Sequence, residues 1–217
     1  MTDSTSNRGC FRGAGQREFR IDSRWSTYSP ILLIAGILVG DFFSYWSHRL
    51  RHRCGILWNF HAIHHSQTKL NFFTQNRFHD LDTMIDLTLR ILPLLILNAS
   101  WTVLGIYYAI SLAHFRLYHS GIRGNYGMLR YVVVTPQSHR IHHARAQRHR
   151  NCNYGTFFSI WDFAFGTQYR KYDEYPAEMG IEDPTFPIEQ GTPIHDLPGI
   201  FAAQMVHPFW KMFETRG

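Results

Sequence analysis

Cysteine is scarce in this chain: Cys10, Cys54 and Cys152 are the only three in 217 residues. The odd count and the lack of any Cys-x-x-Cys pair argue against a disulfide framework and against a thiolate zinc site, and fit a reducing compartment. Charge is thin as well. Asp, Glu, Lys and Arg together make 18% of the chain, where a soluble domain has about a quarter. No Gly-x-Ser-x-Gly nucleophile elbow occurs, and Gly105 and Gly121–Gly127 form no phosphate-cradling loop after a strand, so serine-hydrolase and nucleotide-binding chemistries are set aside. There is no long internal repeat. Residues 1–24 are polar, rich in Arg, Gly and Ser, and lack the apolar core of a signal peptide; they read as a flexible tail.

Apolar runs are what the chain has instead. "SPILLIAGILVGDFFSYW" occupies 29–46. Taken from Tyr28 to Ser47 it is about 20 residues, the length of a helix that crosses a hydrocarbon core. Asp41 is its one charge, and such a carboxylate usually faces a bundle interior or a site. A second apolar region, Leu81 to Ala113, is too long for one span and is interrupted by "LNASW" at 97–101. It reads as two helices, 79–97 and 101–119, joined by a tight turn at Asn98–Ser100. Arms of equal length put His79 and His119 together at the open end of a hairpin. Asp86 and Arg90 share one helical face. A buried soluble hairpin is the alternative.

The fold class expected is therefore all-α: a membrane helical bundle of about three spans, one transmembrane helix plus a helical hairpin, with a cytosolic histidine-rich cap. Sixteen of the 22 Lys and Arg lie in 48–80 and 114–217, which puts those segments in the cytoplasm by the positive-inside rule. The five Arg of the N-terminal tail run against that assignment. Three regions are expected: the tail 1–24, a membrane-embedded domain 25–170, and a Pro-rich extension 171–217 with a short final helix near 199–214.

Fourteen histidines are many for this length. "HRLRH" sets His48 and His52 four apart. "HAIHH" sets His61, His64 and His65 at i, i+3 and i+4, and "HRIHH" repeats that spacing with His139, His142 and His143. On a helix these spacings gather side chains on one face. Two imidazoles four apart can meet one metal ion, and the third, at i+3, can reach the same ion or its neighbour. With His79 and His119 the set offers ten nitrogens, suited to two metal ions. Without thiolates the site is all-nitrogen, which suits iron, zinc, copper or nickel. His114, His149, His195 and His207 read as core or solvent-exposed residues. The formal charge of +6 fits a lipid-facing or cytosolic surface. Nucleic acid is set aside, because "RIHHARAQRHR" lacks the aromatic platforms of single-strand binders.

"DFFSYWSHRLRH", "HAIHH", "NRFHDLD", "TPQSHRIHH" and "NCNYGTFFSIWDFAFGT", in this order over about 38–170, resemble the fatty acid hydroxylase superfamily, also called the sterol desaturase family. Departures are Asp80, where the family usually has Pro, and Gly121 in the element after the hairpin. Most members also carry a membrane helix before the one at 28–47. The resemblance implies a membrane di-iron oxygenase with ligands His48, His52, His61, His64, His65, His79, His119, His139, His142 and His143. It implies two iron ions (with zinc as a substitute on isolation), dioxygen, and electrons from an external donor such as cytochrome b5 or ferredoxin with its reductase. The substrate would be a lipid taken from the bilayer, and the location a bacterial inner membrane or endoplasmic reticulum, with the histidines on the cytoplasmic face. Asn153 belongs to the family's Asn-Tyr-Gly element beside the cluster.

Metal-bound histidines are usually held in the right tautomer by carboxylates. Asp162 ranks first for that role and Asp41 second, with Asp80 and Asp82 behind. No catalytic residue is expected beyond the ligands. Phe42, Phe43, Tyr45, Trp46 and Tyr108 are the expected lining of a lipid cavity. A metal-binding membrane protein without oxygenase activity is the competing reading. Which lipid, and hydroxylation against desaturation, stay open at this level.

Overall fold

The structure is a computed structural model that describes residues 29–72, 76–189 and 191–214; the tail expected at 1–24 lies outside them. The described chain is helical, and its β structure is limited to two isolated bridges, Val133 with Phe158 and Ala144 with Met179. Among the described residues seven α-helices follow in order: α1 Pro30–Arg53, α2 Gly55–His65, α3 Asp80–Ile96, α4 Trp101–His119, α5 Pro136–His142, α6 Ile160–Ala164 and α7 Leu197–Glu214.

Local chemistry sets the boundaries. Ser29 caps α1 by accepting the Leu32 N–H, with Pro30 in the first turn, where a proline's missing N–H costs nothing. α1 and α2 are separated only by Cys54, which is extended (φ −94°, ψ 114°). Its N–H bonds Leu50 O and its carbonyl accepts from Trp58, both at 2.8 Å, so the chain changes direction with no backbone group lost. That one-residue break folds α2 back on α1. α3 ends in a left-handed Asn98 (φ 57°). Ala99 N–H bonds Leu94 O, and Asn98 N–H bonds Leu95 O, each at 2.9 Å, the paired bonds of a Schellman end. Ser100 then caps α4 through Val103 N–H. The expected turn at Asn98–Ser100 is thus built from one helix cap running into the next.

The hairpin α3–α4 packs on α1 around Leu94, Leu104 and Tyr107, with Ile37 and Ile91 against them. Gly40 is the point of closest approach: a Cβ there would lie 2.7 Å from the Tyr107 ring. α5 opens on a capping box in which Thr135 and Ser138 bond each other's backbone N–H. It rests on α4, and α7 rests on α2.

Among the described residues one helix, α1, is long and apolar enough to cross a membrane. The hairpin arms form where the sequence predicts them but fall below that mark. α3 has 17 residues and carries Asp80, Asp82, Asp86 and Arg90, and α4 carries His114 and Arg116. Of the three expected spans, α1 alone among the described residues has the length and composition of a crossing helix.

Candidate metal centre

Nine histidines converge in two adjoining groups. His48, His52, His61, His65 and His142 form the first; His64, His119, His139 and His143 form the second. Within each group the ligand atoms lie within 4.8 Å of one another. Eight of the nine are buried, and His52 is partly so. Each His-x-x-His-His triplet divides between the groups. His61 and His65 of α2 enter the first while His64 enters the second; His139 and His143 enter the second while His142 enters the first. The i,i+4 pair shares a group and the i+3 member reaches the neighbour. The groups touch through His65 on His143, stacked with centroids 4.1 Å apart, and through His139 and His142, stacked at 5.3 Å.

The far side of several rings is fixed by an acceptor. His48 Nδ1 donates to Tyr154 O at 2.9 Å, His142 Nδ1 to Cys152 O at 2.7 Å and His119 Nδ1 to Phe115 O at 2.9 Å. A carbonyl only accepts, so each Nδ1 carries the proton and each Nε2 keeps a lone pair. His61 Nδ1 meets Asp82 Oδ2 at 2.9 Å, and Arg51 Nη1 bonds the same carboxylate at 3.3 Å.

Burial holds the imidazoles of His64, His65, His139 and His143 well below their ordinary pKa, and neighbouring imidazoles deepen the effect. His142 is pushed down to about 3, chiefly by burial. His61 is lowered less, because the Asp82 charge opposes its burial. The rings are neutral at pH 7, the form that binds metal. Burial pushes the nearby Cys152 thiol up to about 12, so it supplies no thiolate.

The donor set suits a cation. His52, His61, His65 and His142 each leave Nε2 buried with no hydrogen-bond partner, a cost of about 1–3 kcal/mol apiece if nothing fills the space. In the second group Nε2 of His139 lies 2.8 Å from His119, 3.0 Å from His143, and His119 lies 3.1 Å from His64. Two nitrogens bound to one ion at about 2.1 Å and at right angles lie about 3.0 Å apart.

The tenth expected ligand, His79, is in neither group. It caps α3, its Nδ1 accepting from Leu81 N–H at 3.0 Å, and its Nε2 donates to Met205 O of α7 at 3.1 Å. Both ring nitrogens are used by the fold. His149 likewise pairs with Glu174.

The carboxylates fall in a different order from the one expected. Asp82, ranked low, is the one that touches a grouped histidine. Asp41 instead accepts from Thr156 Oγ1, the Phe157 and Phe158 N–H groups and Trp161 Nε1, at 2.8–2.9 Å, and so ties the segment 155–161 to α1. Asp162 accepts from Tyr154 N–H, Gly155 N–H and Thr167 Oγ1. It therefore steadies Tyr154, whose carbonyl holds His48, at one remove from the ring. Its carboxyl is raised to about 6 by burial, against those three bonds. Asn153 sits between the two carbonyls that hold His142 and His48. Its left-handed backbone (φ 54°), which Asn tolerates, turns Cys152 O and Tyr154 O toward separate rings, and its amide is anchored by Ser138 O and Tyr169 N–H. The signal that would have ranked Asp82 first is its position: in the first turn of α3, near the open end where the hairpin meets the histidines.

A cavity of about 260 Å³ lies between α1, α3 and α4 and is bounded by His48, His61, His64 and His139, members of both groups. Phe78, Tyr108, Leu112 and Phe115 form its apolar wall. Of the five aromatics expected there, Tyr108 is on the wall. Phe42, Tyr45 and Trp46 pack instead against Phe165, with Trp161 also on Phe42, and Phe43 stands edge-on to Phe42. Phe42 and Trp46 lie on the opposite face of α1 from Ser44, His48 and Arg51, which do border the cavity, and Phe43 and Tyr45 lie to either side. A second cavity, about 280 Å³ and polar, reaches His52, His65 and His142 beside Arg145, Arg150 and Glu182.

Residues 33–167 match the family model described as Fatty acid hydroxylase. The chain is 32% identical over 177 residues to an ornithine lipid hydroxylase of Rhizobium tropici, covering 82% of this chain and 50% of that protein. It is 32% identical over 179 residues to the human alkylglycerol monooxygenase, covering 80% of this chain and 36% of the relative. A very-long-chain aldehyde decarbonylase of rice is 26% identical over 164 residues, 69% of this chain and 25% of its own. The chain thus spans half or less of these relatives. No solved structure matches it.

Proposed function

Because the chain belongs to the fatty acid hydroxylase family, we propose that it is a dioxygen-dependent lipid hydroxylase or desaturase whose nine grouped histidines hold two iron ions at the membrane–cytosol boundary. One observation carries this reading: two adjoining all-imidazole groups, buried and neutral, open together onto one cavity with an apolar wall. The named activities of the ornithine lipid hydroxylase and the alkylglycerol monooxygenase point to lipid as the substrate class.

When bound, the iron pair supplies reductive activation of dioxygen and oxidation of an unactivated carbon, using electrons from an external donor such as cytochrome b5 or ferredoxin with its reductase. Hydroxylation consumes one dioxygen, two electrons and two protons and yields the alcohol and water. The chain's own part is positioning. Tyr154 O, Cys152 O, Phe115 O and Asp82 keep Nδ1 of four rings engaged, which leaves Nε2 as the nitrogen that would hold an ion. Phe78, Tyr108, Leu112 and Phe115 seat the hydrocarbon against the histidine wall and exclude water.

In this reading α1 spans the bilayer and the α3–α4 hairpin enters it. Met84, Leu92, Ile96 and Trp101 of the hairpin are exposed, which suits contact with lipid. The basic segments around the histidines then face the cytoplasm.

Comparing the lipids of cells with and without the gene tests the proposal. The expected result is one lipid class gaining an oxygen atom or losing two hydrogens, with purified protein carrying about two irons per chain. Iron bound with no turnover, across a broad lipid panel and with a competent donor, refutes the oxygenase reading in favour of metal binding alone.

A further inference from the structure

The cavity beside the histidines is not uniformly apolar. One stripe of α3 supplies Asp82, Asp86 and Arg90 at steps of four, on a single helical face, and Asp86 and Arg90 border the cavity. Asp86 is committed through Oδ1, which accepts from Arg51 Nη2 at 2.8 Å and from Ser47 Oγ at 3.0 Å. Arg90 is not. Its contact with Asp86 Oδ2 is 3.6 Å, beyond hydrogen-bond reach, and its Nε is buried with no partner. The side chain is only 19% exposed. An ionisable group part-way along a helix that enters the bilayer is retained at a cost and marks a pathway or a ligand.

We infer that Arg90 is a specificity-determining donor that recognises an uncharged oxygen acceptor (an ester, amide or ether oxygen) in the lipid bound by this cavity. The inference rests on the lipid reading above for the cavity's occupant. Charge selects the acceptor. Arg51 and Arg90 already balance Asp82 and Asp86, so a carboxylate brought to Arg90 would leave a buried network with an uncompensated negative charge. A neutral oxygen fills the free donor without that penalty, and a plain hydrocarbon leaves it orphaned. Arg90 lies eight residues, about 12 Å, along α3 from Asp82, which holds His61. The Arg90 side chain reaches back toward Asp86, so the recognised oxygen sits nearer the histidines than that backbone rise.

Displacement of tritiated methyl stearate from the full chain in detergent tests this, with and without iron. Octadecyl methyl ether should compete as well as the ester, while octadecane and stearate compete at least about tenfold more weakly. Arg90→Met should erase the preference by lowering ester and ether affinity about ten- to hundredfold, with iron content unchanged; Arg90→Lys should keep part of it. Failure of wild type to bind the ester, equal competition by octadecane, stronger competition by stearate, or an unchanged preference in a folded Arg90→Met variant would each overturn the inference. The wild-type competition decides even where the variant does not fold. Turnover and iron content are read separately. A chain that keeps the preference but oxidises nothing supports Arg90 as the donor while refuting the oxygenase, and one that oxidises lipids without preference does the reverse.

Discussion

The proton on an imidazole decides which of its nitrogens can face a cation, and in this protein that decision is made by atoms outside the two groups. Three of the four identified acceptors are backbone carbonyls; the fourth is Asp82. A carbonyl cannot be mutated away, but Asp82 can. Asp82→Asn should lower metal affinity about 10–100-fold, read as faster iron loss during dialysis against a chelator. Arg51 would be left beside a neutral amide, so the variant should be less stable too. His79→Ala gives the contrast. Its ring nitrogens serve Leu81 and Met205, so iron content should stay at the wild-type level while the melting temperature falls. Iron loss from His79→Ala equal to that from Asp82→Asn would return His79 to the ligand set.

At the scale of the element, the site depends on helices held at close range. The break at Cys54 brings His48 and His52 of α1 against His61 and His65 of α2. The hairpin then has to lie tightly on α1 for His119 to reach the second group, and Gly40 permits it. Gly40→Ala drives a methyl group to 2.7 Å from the Tyr107 ring and 3.1 Å from Leu94. It should destabilise by about 1–3 kcal/mol, seen as a lower melting temperature in detergent. Gly105→Ala, inside α4 with nothing near its Cβ position, should instead stabilise by about 0.5–1 kcal/mol, the helix-interior cost of glycine. Matching losses from the two substitutions would refute the close-approach account.

For the molecule as a whole, the burial that readies the histidines for metal is a liability in acid. His142 titrates at about 6.5 when exposed and at about 3 in the fold, and its neighbours are shifted the same way. Between those values the unfolded chain binds protons that the folded chain refuses. Stability is therefore undiminished above about pH 6.5 and falls as pH drops toward 3, each such histidine adding up to about 1.4 kcal/mol per pH unit. Metal-stripped protein should show a melting temperature that is flat above pH 7 and falls steeply below about 6.5. Iron at saturating concentration should raise the whole curve, because it binds only the folded state, and a chelator should reverse the rise. A flat melting temperature down to pH 4 would show that the rings are not buried as a neutral set.

Much of this was written in the chain. The helix arms and the turn at Asn98 follow from apolar length interrupted by short polar residues, and the His-x-x-His-His spacing puts three imidazoles on one helical face wherever that helix lies. Local spacing cannot say which partner each ring meets. That the triplets divide two to one, each lending its i+3 histidine to the other group, depends on how α2 and α5 cross, and so does the adjacency of the groups. His79 looked like a ligand because it stands at the hairpin's open end; only packing against α7 reveals both of its nitrogens in use. Asp162 and Asp41 looked like the carboxylates of the site because of their motif and their depth, but contact across 21 residues of sequence, from His61 to Asp82, is a property of the folded chain. The sequence determined by itself which residues can bind metal, since side-chain chemistry and helical period are local. Tertiary structure decided which of them are brought together, because distances between helices are set by packing, at a glycine, a one-residue break and a few backbone carbonyls.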